Sequence, residues 1–205
     1  MRSQNLFLLN ILILYMNITY LTSQIEYVNE YEENFLKSNE ERAFIITLYR
    51  TEAIYGACDS CNINYCKENN IPYVHQKILH GGGCIIGVKG NIFIDAQKKN
   101  TFRNNIYLSK DFANTLCGYL KEKGLNSVRC DNNDVMVDGF KVASGVEIRN
   151  GDFKYMGYQI SIYQDLETIK HVCNKPMIKI PKALSEYGIT TEDMIYFCDK
   201  YFKEL

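Results

Sequence analysis

Residues 80–91 read His-Gly-Gly-Gly-Cys-Ile-Ile-Gly-Val-Lys-Gly-Asn, and this stretch sets the pattern for the rest of the chain. Three successive glycines let the backbone lie directly against a ligand, with φ and ψ values that other residues avoid. Apolar residues precede the glycines at Val74 and Ile78 and follow them at Ile85 and Ile92. This flanking predicts a strand, a glycine loop and a second strand. Such a loop offers its N–H groups to an anion such as phosphate, and a plain turn between strands is the alternative.

The composition is typical of a single globular domain. The chain has 205 residues, of which 46% are hydrophobic, 13% aromatic and 23% charged, enough for a substantial core. Its formal net charge of -1 gives no electrostatic argument for nucleic acid as the main partner. We therefore expect one domain over residues 1–205 that binds no nucleic acid.

An apolar run near the N-terminus, Leu6 to Met16, follows Arg2 and resembles a signal peptide. Asn10 interrupts the run, and no small-residue cleavage site follows it. The run is also shorter than the roughly 20 residues that span a bilayer. We therefore expect a buried first strand, no membrane partner and a cytoplasmic protein.

Three of the eight cysteines, Cys58, Cys61 and Cys66, form a C-x2-C-x4-C cluster. Closely spaced cysteines of this kind are typical zinc ligands, but a fourth ligand at a matching spacing is missing from the sequence. Cys84 or His75 could be recruited in space. Two hypotheses stay open, a zinc site and reduced thiols without metal, and the sequence favours the thiols.

Apolar spacing and chain breakers predict strands and helices along the chain. The predicted helices cover residues 23–38, 59–70, 111–123, 165–171 and 191–202. The predicted strands cover residues 43–49, 127–130, 134–137, 140–148 and 153–163, and a polar loop is predicted at 97–105. Asp138-Gly139 and Asn150-Gly151 are hairpin turn signals because their residues tolerate φ > 0. The pattern favours an α+β fold with a largely antiparallel sheet.

Lys141 begins a predicted strand just after the Asp138-Gly139 turn. The alternation of side chains along a strand places Lys141, Ala143 and Gly145 on one face. A lysine that projects into a glycine-lined cleft can hold a carbonyl or phosphate oxygen and stabilise charge during acyl transfer. A solvated lysine beside a hairpin is the alternative.

Several short motifs follow one another in a set order along the chain. They are Leu48-Tyr49-Arg50-Thr51, Gly56, His80-Gly81-Gly82-Gly83, Gly90-Asn91, Asn133-Asp134 and Lys141. In order and spacing they resemble the lipoate–protein ligases, whose wider group includes biotin protein ligases and lipoyl(octanoyl) transferases. The resemblance implies an α+β fold of the biotin/lipoate ligase catalytic-domain type, with a mixed, largely antiparallel central sheet flanked by helices. With 205 residues, the chain would be a single catalytic-type domain without the C-terminal accessory domain of many ligases.

The resemblance also implies an activity, the attachment of a lipoyl or octanoyl group to a lysine of an acceptor protein through an acyl-adenylate. Lys141 would contact the acyl carbonyl, and Asp134 would hold the metal. The other substrate- and nucleotide-binding residues would be Arg50, Lys77, His80, Gly81, Gly82, Gly83, Asn91, Asn133, Ser144 and Gly145. ATP and Mg²⁺ would be the cofactors, lipoate or octanoate the substrate, and a small lipoyl-acceptor domain the protein partner.

Two stretches depart from the ligase pattern. Ligases typically have Arg-Arg-Ser-Ser before the glycines, where this chain has Lys77-Ile78-Leu79-His80. The His-Asp that follows the glycines in the family is Gly87-Val88 here. These departures leave open the alternative that the chain is a relative that binds its ligand without turnover.

The lipoyl(octanoyl) transferases supply a second interpretation. Lys141-Val142-Ala143-Ser144 resembles their lysine stretch, and Cys173 lies 32 residues after Lys141, at roughly the family's separation. A thiolate whose pKa is lowered by an ammonium group is a competent acyl acceptor, so a carrier-bound acyl donor would replace ATP. The Pro-Cys-Gly motif of the transferases is absent, and a structural thiol is the alternative for Cys173. The sequence favours ligase chemistry because Asn133-Asp134 and Gly90-Asn91 follow the ligase pattern.

Overall fold

The computed structural model describes residues 16–23, 37–38, 40–56, 59–75, 83–99 and 107–205. Within them the strands are β1 (Asn17–Ser23), β2 (Arg42–Leu48), β3 (Glu52–Tyr55), β4 (Tyr73–His75), β5 (Cys84–Gly87), β6 (Ile92–Lys99), β7 (Ser127–Arg129), β8 (Val135–Val137), β9 (Phe140–Asn150) and β10 (Phe153–Ile160). The helices are α1 (Ile63–Glu68), α2 (Leu108–Glu122), α3 (Leu166–Val172) and α4 (Thr191–Glu204).

The strands form two sheets. The large sheet has seven strands in the order β1-β2-β6-β10-β9-β8-β7, and all its pairs are antiparallel except β1 with β2. The small sheet has the order β4-β3-β5, with one parallel and one antiparallel pair. The predicted α+β class with a mixed, largely antiparallel sheet is therefore confirmed.

One face of the large sheet is covered by α2 and α4. Phe112 of α2 lies at the centre of this contact, with its ring 4.8 Å from the Tyr158 ring of β10 and 5.0 Å from the Tyr201 ring of α4. Leu108, Phe112, Leu116 and Leu120 are fully buried at a spacing of four residues, which is one stripe of a helix. The helices seal this face with apolar side chains.

The other face of the large sheet packs on the small sheet. Phe44, Ile46, Phe93 and Tyr155 of the large sheet form one buried cluster with Ile54 of β3. The far side of the small sheet is covered in turn by residues of α1 and α3, among them Cys66, Ile169 and Val172. The small sheet is thus held between the large sheet and two short helices, and β5 begins in it directly after the glycine run.

Most predicted elements are found, with shifted ends. The helix predicted at 111–123 overlaps α2, which begins three residues earlier at Leu108. The helix predicted at 59–70 contains α1, and the side chain of Asn62 caps α1 by accepting a hydrogen bond from Tyr65 N. The loop predicted from Gln97 is wrong at its start, because Gln97 belongs to β6. Its buried amide Nε2 donates to Ser38 O at 2.7 Å, which makes a polar residue acceptable in a buried strand.

Some predictions fall outside the described residues. These are most of the N-terminal apolar run of residues 6–16, most of the helix predicted at 23–38, and residues 100–105 of the predicted loop. Both hairpin turns are found, with φ of 50° at Asp138, 84° at Gly139 and 58° at Gly151. Among the described helices, none is long and apolar enough to cross a membrane.

Gly145 provides a test of the packing between β9 and β10. It lies directly opposite Tyr158, and a Cβ at Gly145 would be 1.9 Å from Tyr158 Cδ2. The Tyr158 ring is buried, and its hydroxyl donates to Asn133 O at 2.6 Å, so it has little freedom to move. Gly145→Ala should lower the free energy of unfolding by about 1–3 kcal/mol, measured by urea denaturation followed by circular dichroism.

Gly118 is the matched control. It lies on the exposed side of α2, and a Cβ there would have nothing within 4 Å. Gly118→Ala should raise the free energy of unfolding by about 1 kcal/mol through helix propensity. Equal unfolding midpoints for Gly145→Ala and the wild type would show that the Tyr158 ring does not constrain this position.

Candidate functional site

The glycine run is described only at its end. Lys77, His80, Gly81 and Gly82 lie outside the described residues, as does Cys58. Gly83 O accepts a hydrogen bond from Gly56 N at 3.1 Å. His75 Nε2 contacts Gly56 O at 2.8 Å. The end of the glycine run is therefore tied to β3 through Gly56, which the sequence analysis had singled out.

Lys141 and Cys173 are 32 residues apart in the sequence, but in the structure they are near enough for the positive charge of Lys141 to lower the pKa of Cys173. The main chain of Lys141 donates to Ile180 O and accepts from Lys182 N, both at 2.9 Å. Cys173 ends α3, and its thiol donates to Cys84 O at 3.6 Å. A hydrogen bond from the Cys84 thiol and the positive charge of Lys141 hold the pKa of Cys173 below its usual value, against burial, which raises it.

A register shift places Lys141 on the side of the large sheet that faces Cys173. Ala143 is paired with Val135, but Lys141 is paired with Met136, the next residue of β8, so one residue of β9 is extra. Val135 packs in the cluster under the helices, and Met136 does not. Directly paired residues point to the same side of a sheet, so Lys141 and Ala143 point to opposite sides.

The predicted sharing of one face by Lys141, Ala143 and Gly145 is therefore wrong for Lys141. Gly145 lies under the Tyr158 ring on the helix side. Ser144 is paired with Gln159, whose Nε2 donates to Ile86 O of the small sheet at 3.2 Å. Lys141 shares its side with Ser144, because a bulge interrupts the simple alternation.

Four cysteines from separate elements form one cluster, defined here as the thiol cluster of Cys61, Cys66, Cys84 and Cys173. The sulfur atoms of Cys61 and Cys66 are 4.0 Å apart. The Cys84 thiol hydrogen-bonds with both Cys61 and Cys173. All four are free cysteines. The sequence had suggested that Cys84 could join Cys61 and Cys66, but it had not predicted that Cys173 belongs to the same cluster.

The thiol cluster does not have the arrangement of a metal centre. Among the described residues, no group of three or more His, Cys, Asp or Glu side chains could hold a metal ion. His75, the other residue proposed for recruitment, has its ring centroid 5.1 Å from that of Tyr55, with the two rings tilted. Burial raises the pKa of Cys66 to about 12 and also raises that of Cys61, which keeps both thiols protonated.

Arg50 and Asp134 each contact an oppositely charged side chain. Arg50 pairs with the carboxylate of Glu52, which is only 1% exposed. Asp134 is 4% exposed, and its Oδ2 accepts from Lys179 Nζ at 2.7 Å and from Asn132 Nδ2 at 2.9 Å. Lys179 was not singled out from the sequence, where a lysine between two isoleucines gives no signal.

Asn133 and Asn91 fix turns. Asn133 has φ of 63°, and its carbonyl accepts the hydrogen bond from Tyr158. Asn91 is fully buried, and its Oδ1 accepts from Ile162 N at 2.9 Å and from Tyr163 N at 2.8 Å. Gly90 beside it has φ of 89°, and a Cβ there would be 2.5 Å from the Tyr163 ring. Both motifs thus have structural tasks in this chain.

A buried polar pair on the side facing the small sheet was missed by sequence reasoning. Tyr155 OH donates to Asp95 Oδ1 at 2.6 Å, and burial raises the pKa of Asp95 to about 6. Asp95 interrupts the apolar strand β6, which was the available signal. Gly157 lies beside the pair, where a Cβ would be 3.7 Å from Asp95 Oδ1, so polar groups and small residues meet between the two sheets.

The large mixed sheet is covered by helices on one side and by a second sheet on the other, and Lys141 of β9 lies on the side of the second sheet. This arrangement is that of a catalytic domain of the biotin/lipoate ligase class. Residues 30–195 match the family described as the lipoyl protein ligase A/B catalytic domain. The chain therefore belongs to this family. No curated protein sequence matches the chain.

Solved structures share the fold. A lipoate-protein ligase A bound with ATP has a TM-score of 0.78 at 13% identity, over 93% of this chain and 85% of that one. P. falciparum LipL1 in complex with lipoate has a TM-score of 0.74 at 14% identity, over 92% and 60%. A Thermoplasma acidophilum bi-partite lipoate protein ligase, studied with its E2 lipoyl domain, has a TM-score of 0.73 at 14% identity, over 93% and 84%.

The ionisation of Cys173 can be tested by alkylation. Because the pKa of Cys173 is lowered and that of Cys84 is raised, iodoacetamide should modify Cys173 first as the pH rises from about 6 to 10. Lys141→Gln removes a positive charge that favours the thiolate, so the midpoint for Cys173 should move to higher pH. Mass spectrometry can follow the two thiols separately, because tryptic peptides 171–179 and 78–89 each contain one cysteine.

Lys175→Gln is the control for this measurement. Lys175 is two residues from Cys173, but its ammonium pairs with Asp59 at 3.8 Å and is 60% exposed, so its removal should leave the midpoint unchanged. The same midpoint in both variants would show that Lys141 does not act on Cys173.

Proposed function

We propose that residues 1–205 form a single catalytic-type domain that attaches a lipoyl or octanoyl group to a lysine of an acceptor protein. The observation that carries the proposal is that the positive charge of Lys141 acts on the half-buried Cys173 thiol and favours its ionisation, within a lipoyl ligase fold. An ammonium at the acyl carbonyl stabilises the negative charge that develops on oxygen when an amine attacks. The attacking amine belongs to the acceptor lysine.

In the first route the acid is activated with ATP. The carboxylate of lipoate or octanoate attacks the α-phosphate, pyrophosphate leaves, and the acyl-adenylate forms. The acceptor amine then attacks the carbonyl held by Lys141, and AMP leaves. The ATP bound to a ligase of the same fold supports this route. Lys77, His80 and the three glycines are the residues proposed to hold the nucleotide and acyl group, together with Arg50, Asn91, Asn133, Ser144 and Gly145.

The proposed metal position at Asp134 needs a change of partners. A phosphate-bound Mg²⁺ takes one or two carboxylates, with phosphate and water oxygens as the other ligands, so one aspartate can suffice. The Asp134 carboxylate is occupied by Lys179 and Asn132. Lys179 would have to release Asp134, and its ammonium would then be free to meet phosphate.

The second route uses Cys173 and is favoured by its lowered pKa. The thiolate attacks the carbonyl of a carrier-bound acyl thioester, the carrier thiol leaves, and a Cys173 thioester forms. The acceptor amine then attacks this thioester, and the Cys173 thiolate leaves. The sequence preference for the ligase relied on Asn133-Asp134 and Gly90-Asn91, whose structural contacts remove that argument. Lys141 holds the carbonyl oxygen in both routes.

Intact-mass spectrometry of an acceptor domain distinguishes the routes. Lys141→Ala should abolish transfer with either donor, because it removes the ammonium at the carbonyl. In the ATP route, Cys173→Ser should retain transfer from lipoate, ATP and Mg²⁺, and omission of ATP should stop it. In the thioester route, the wild type should gain an acyl mass on Cys173 from an octanoyl carrier without ATP.

Thermal melts of each variant provide the control for folding. Lys141 is only partly buried, and surface substitutions usually change stability by about 0.5 kcal/mol or less. Transfer by Lys141→Ala within a few-fold of the wild type would overturn its assigned role. If the acceptor gains no mass with any donor, the result would favour the alternative that this protein is a relative that binds its ligand without turnover.

The acceptor domain is proposed to approach over the segment after Cys173. In this segment Ile178 and Ile180 are 96% and 54% exposed, and Lys179 between them turns inward to the buried Asp134. This is the reverse of the usual apolar-in, polar-out alternation. Ile180 O is bonded to Lys141 N, so the exposed isoleucines lie beside the transfer site. Residues 168–185 contain four lysines and no carboxylate, which suits an acidic acceptor.

Ile178→Glu tests the acceptor approach. A buried apolar contact at an interface typically contributes more than 1 kcal/mol, so the KM for the acceptor domain should rise about tenfold. The rate of acyl transfer to hydroxylamine should not change. Tyr196→Glu is the matched control, because Tyr196 is 68% exposed on α4. Equal KM values for the two variants would exclude this segment as the acceptor surface.

A further inference from the structure

The thiol cluster is a connected row of sulfur atoms with Lys141 at one end. Cys66 contacts Cys61, Cys61 contacts Cys84, and Cys84 contacts Cys173. The charge of Lys141 acts on Cys173. Neither route of acyl transfer needs Cys84, Cys61 or Cys66, so the row requires a separate explanation.

Exposure divides the row into two pairs. Cys61 is 4% exposed and Cys66 is 0% exposed. Cys84 and Cys173 are both half-buried, and they are therefore more open to solvent than the other two. As a thiol, Cys173 donates to Cys84 O at 3.6 Å. As a thiolate it accepts from the Cys84 thiol. Cys173 therefore has a hydrogen-bond partner on Cys84 in either ionisation state.

We propose that Cys84 and Cys173 are a modification site that forms a reversible disulfide by exchange with a small-molecule disulfide such as oxidised glutathione. Two observations select this pair from the row: both cysteines are half-buried, and the Cys173 thiol lies 3.6 Å from the Cys84 carbonyl oxygen, so that the two side chains interact. Thiol–disulfide exchange begins from a thiolate, and Lys141 stabilises that state at Cys173. The proposal goes beyond the acyl transfer function and does not require Cys173 to carry an acyl group.

The exchange balances without further reagents. The Cys173 thiolate attacks one sulfur of the oxidised glutathione, the S–S bond of the oxidant breaks, and one glutathione leaves as thiolate. That thiolate takes the proton of Cys84, and the Cys84 thiolate attacks the Cys173 sulfur. The second glutathione leaves and takes up the proton that Cys173 released on ionisation. Two protein thiols are oxidised, and one glutathione disulfide is reduced to two thiols.

The first step prepares the second. Cys173 is the principal reason that the pKa of Cys84 is raised, through their hydrogen bond, with burial as the next cause. Once Cys173 carries glutathione, it is neutral, and its charge no longer opposes ionisation of Cys84. The Cys84 thiol becomes a better nucleophile at the moment when its target, the mixed disulfide, has formed.

The disulfide would close the site at two points. It would remove the Cys173 thiol from the neighbourhood of Lys141. It would also join the end of α3 to the first residue of β5, directly after the glycine run. Oxidation should therefore stop transfer by either route, and reduction should restore it.

Peptide mapping tests the proposal directly. The protein is equilibrated with mixtures of reduced and oxidised glutathione, free thiols are blocked with N-ethylmaleimide, and the chain is digested with trypsin. Peptides 78–89 and 171–179 contain Cys84 and Cys173 as their single cysteines, whereas Cys58, Cys61 and Cys66 share peptide 51–67. The expected product is peptide 78–89 joined to peptide 171–179, replacing both blocked peptides as the oxidised fraction of glutathione rises.

Variants of single cysteines sharpen the result. Cys84→Ser should remove the linked product and leave glutathione attached to Cys173. Cys130→Ser is the control, because Cys130 is a half-buried free cysteine outside the row, and it should form the linked product as the wild type does. A link from either peptide to 51–67, or mixed glutathione adducts without any link in the wild type, would overturn the proposal.

Acyl transfer is measured in the same samples before and after dithiothreitol. Transfer should fall in proportion to the linked fraction and return on reduction. A reduced protein that shows no transfer would contradict the proposed function and leave the mapping result standing. A fully linked protein that still transfers its acyl group would contradict the closure of the site.

Discussion

The register shift between β8 and β9 is the constraint on which the candidate site depends. Without the extra residue opposite Val135 and Met136, Lys141 would share a side with Ala143 and point into the apolar layer under α2 and α4. A charged ammonium in that layer would be costly. The shift lets one strand supply Ala143 to the core and Lys141 to the side of Cys173. The neighbouring segment strengthens the arrangement, because Lys141 bonds through its main chain to Ile180 and Lys182.

Several residues of the family motifs are held by structural contacts in this chain. Asn91 accepts two main-chain hydrogen bonds, and Asn133 supplies a turn with positive φ under the Tyr158 hydroxyl. A motif residue can therefore persist because the fold needs it, whether or not it also meets a ligand. Lys141 is different, because its positive charge acts on the thiol at a distant helix end. That difference is why the proposed function is built on Lys141.

Local sequence patterns predicted most helices and strands, but they could not predict contacts between residues that are distant in the sequence. The apolar spacing of α2, the Asp138-Gly139 turn and the strands of the large sheet other than β1 follow from periods and turn chemistry that a sequence displays directly. The strand β1 was missed, because the first strand was predicted in the apolar run that precedes it. The bulge beside Lys141 has no local sequence signature. Because the prediction assumed a regular strand, it placed Lys141 on the wrong face. Gln97 was assigned to a loop because it is polar, although its partner Ser38 lies 59 residues earlier. Cys84 and Cys173 are 89 residues apart, a separation at which spacing carries no information.

The thiol cluster is best understood as a site for one negative charge. A Cys173 thiolate raises the pKa of Cys61, Cys66 and Cys84 through its own charge, and burial acts on those thiols in the same direction. A second thiolate in the row would lie beside the first with little water to screen the repulsion. The cluster therefore ionises at Cys173, where the Cys84 thiol and the Lys141 ammonium both favour the charge. Because the pKa of Cys173 is lowered in the folded state, ionisation of Cys173 favours folding as the pH rises. The raised pKa values of Cys61 and Cys66 have the opposite effect and oppose folding at high pH. The hydrogen bond from the Cys84 thiol thus selects the reactive cysteine, and the lysine that would hold an acyl carbonyl adds a smaller contribution in the same direction.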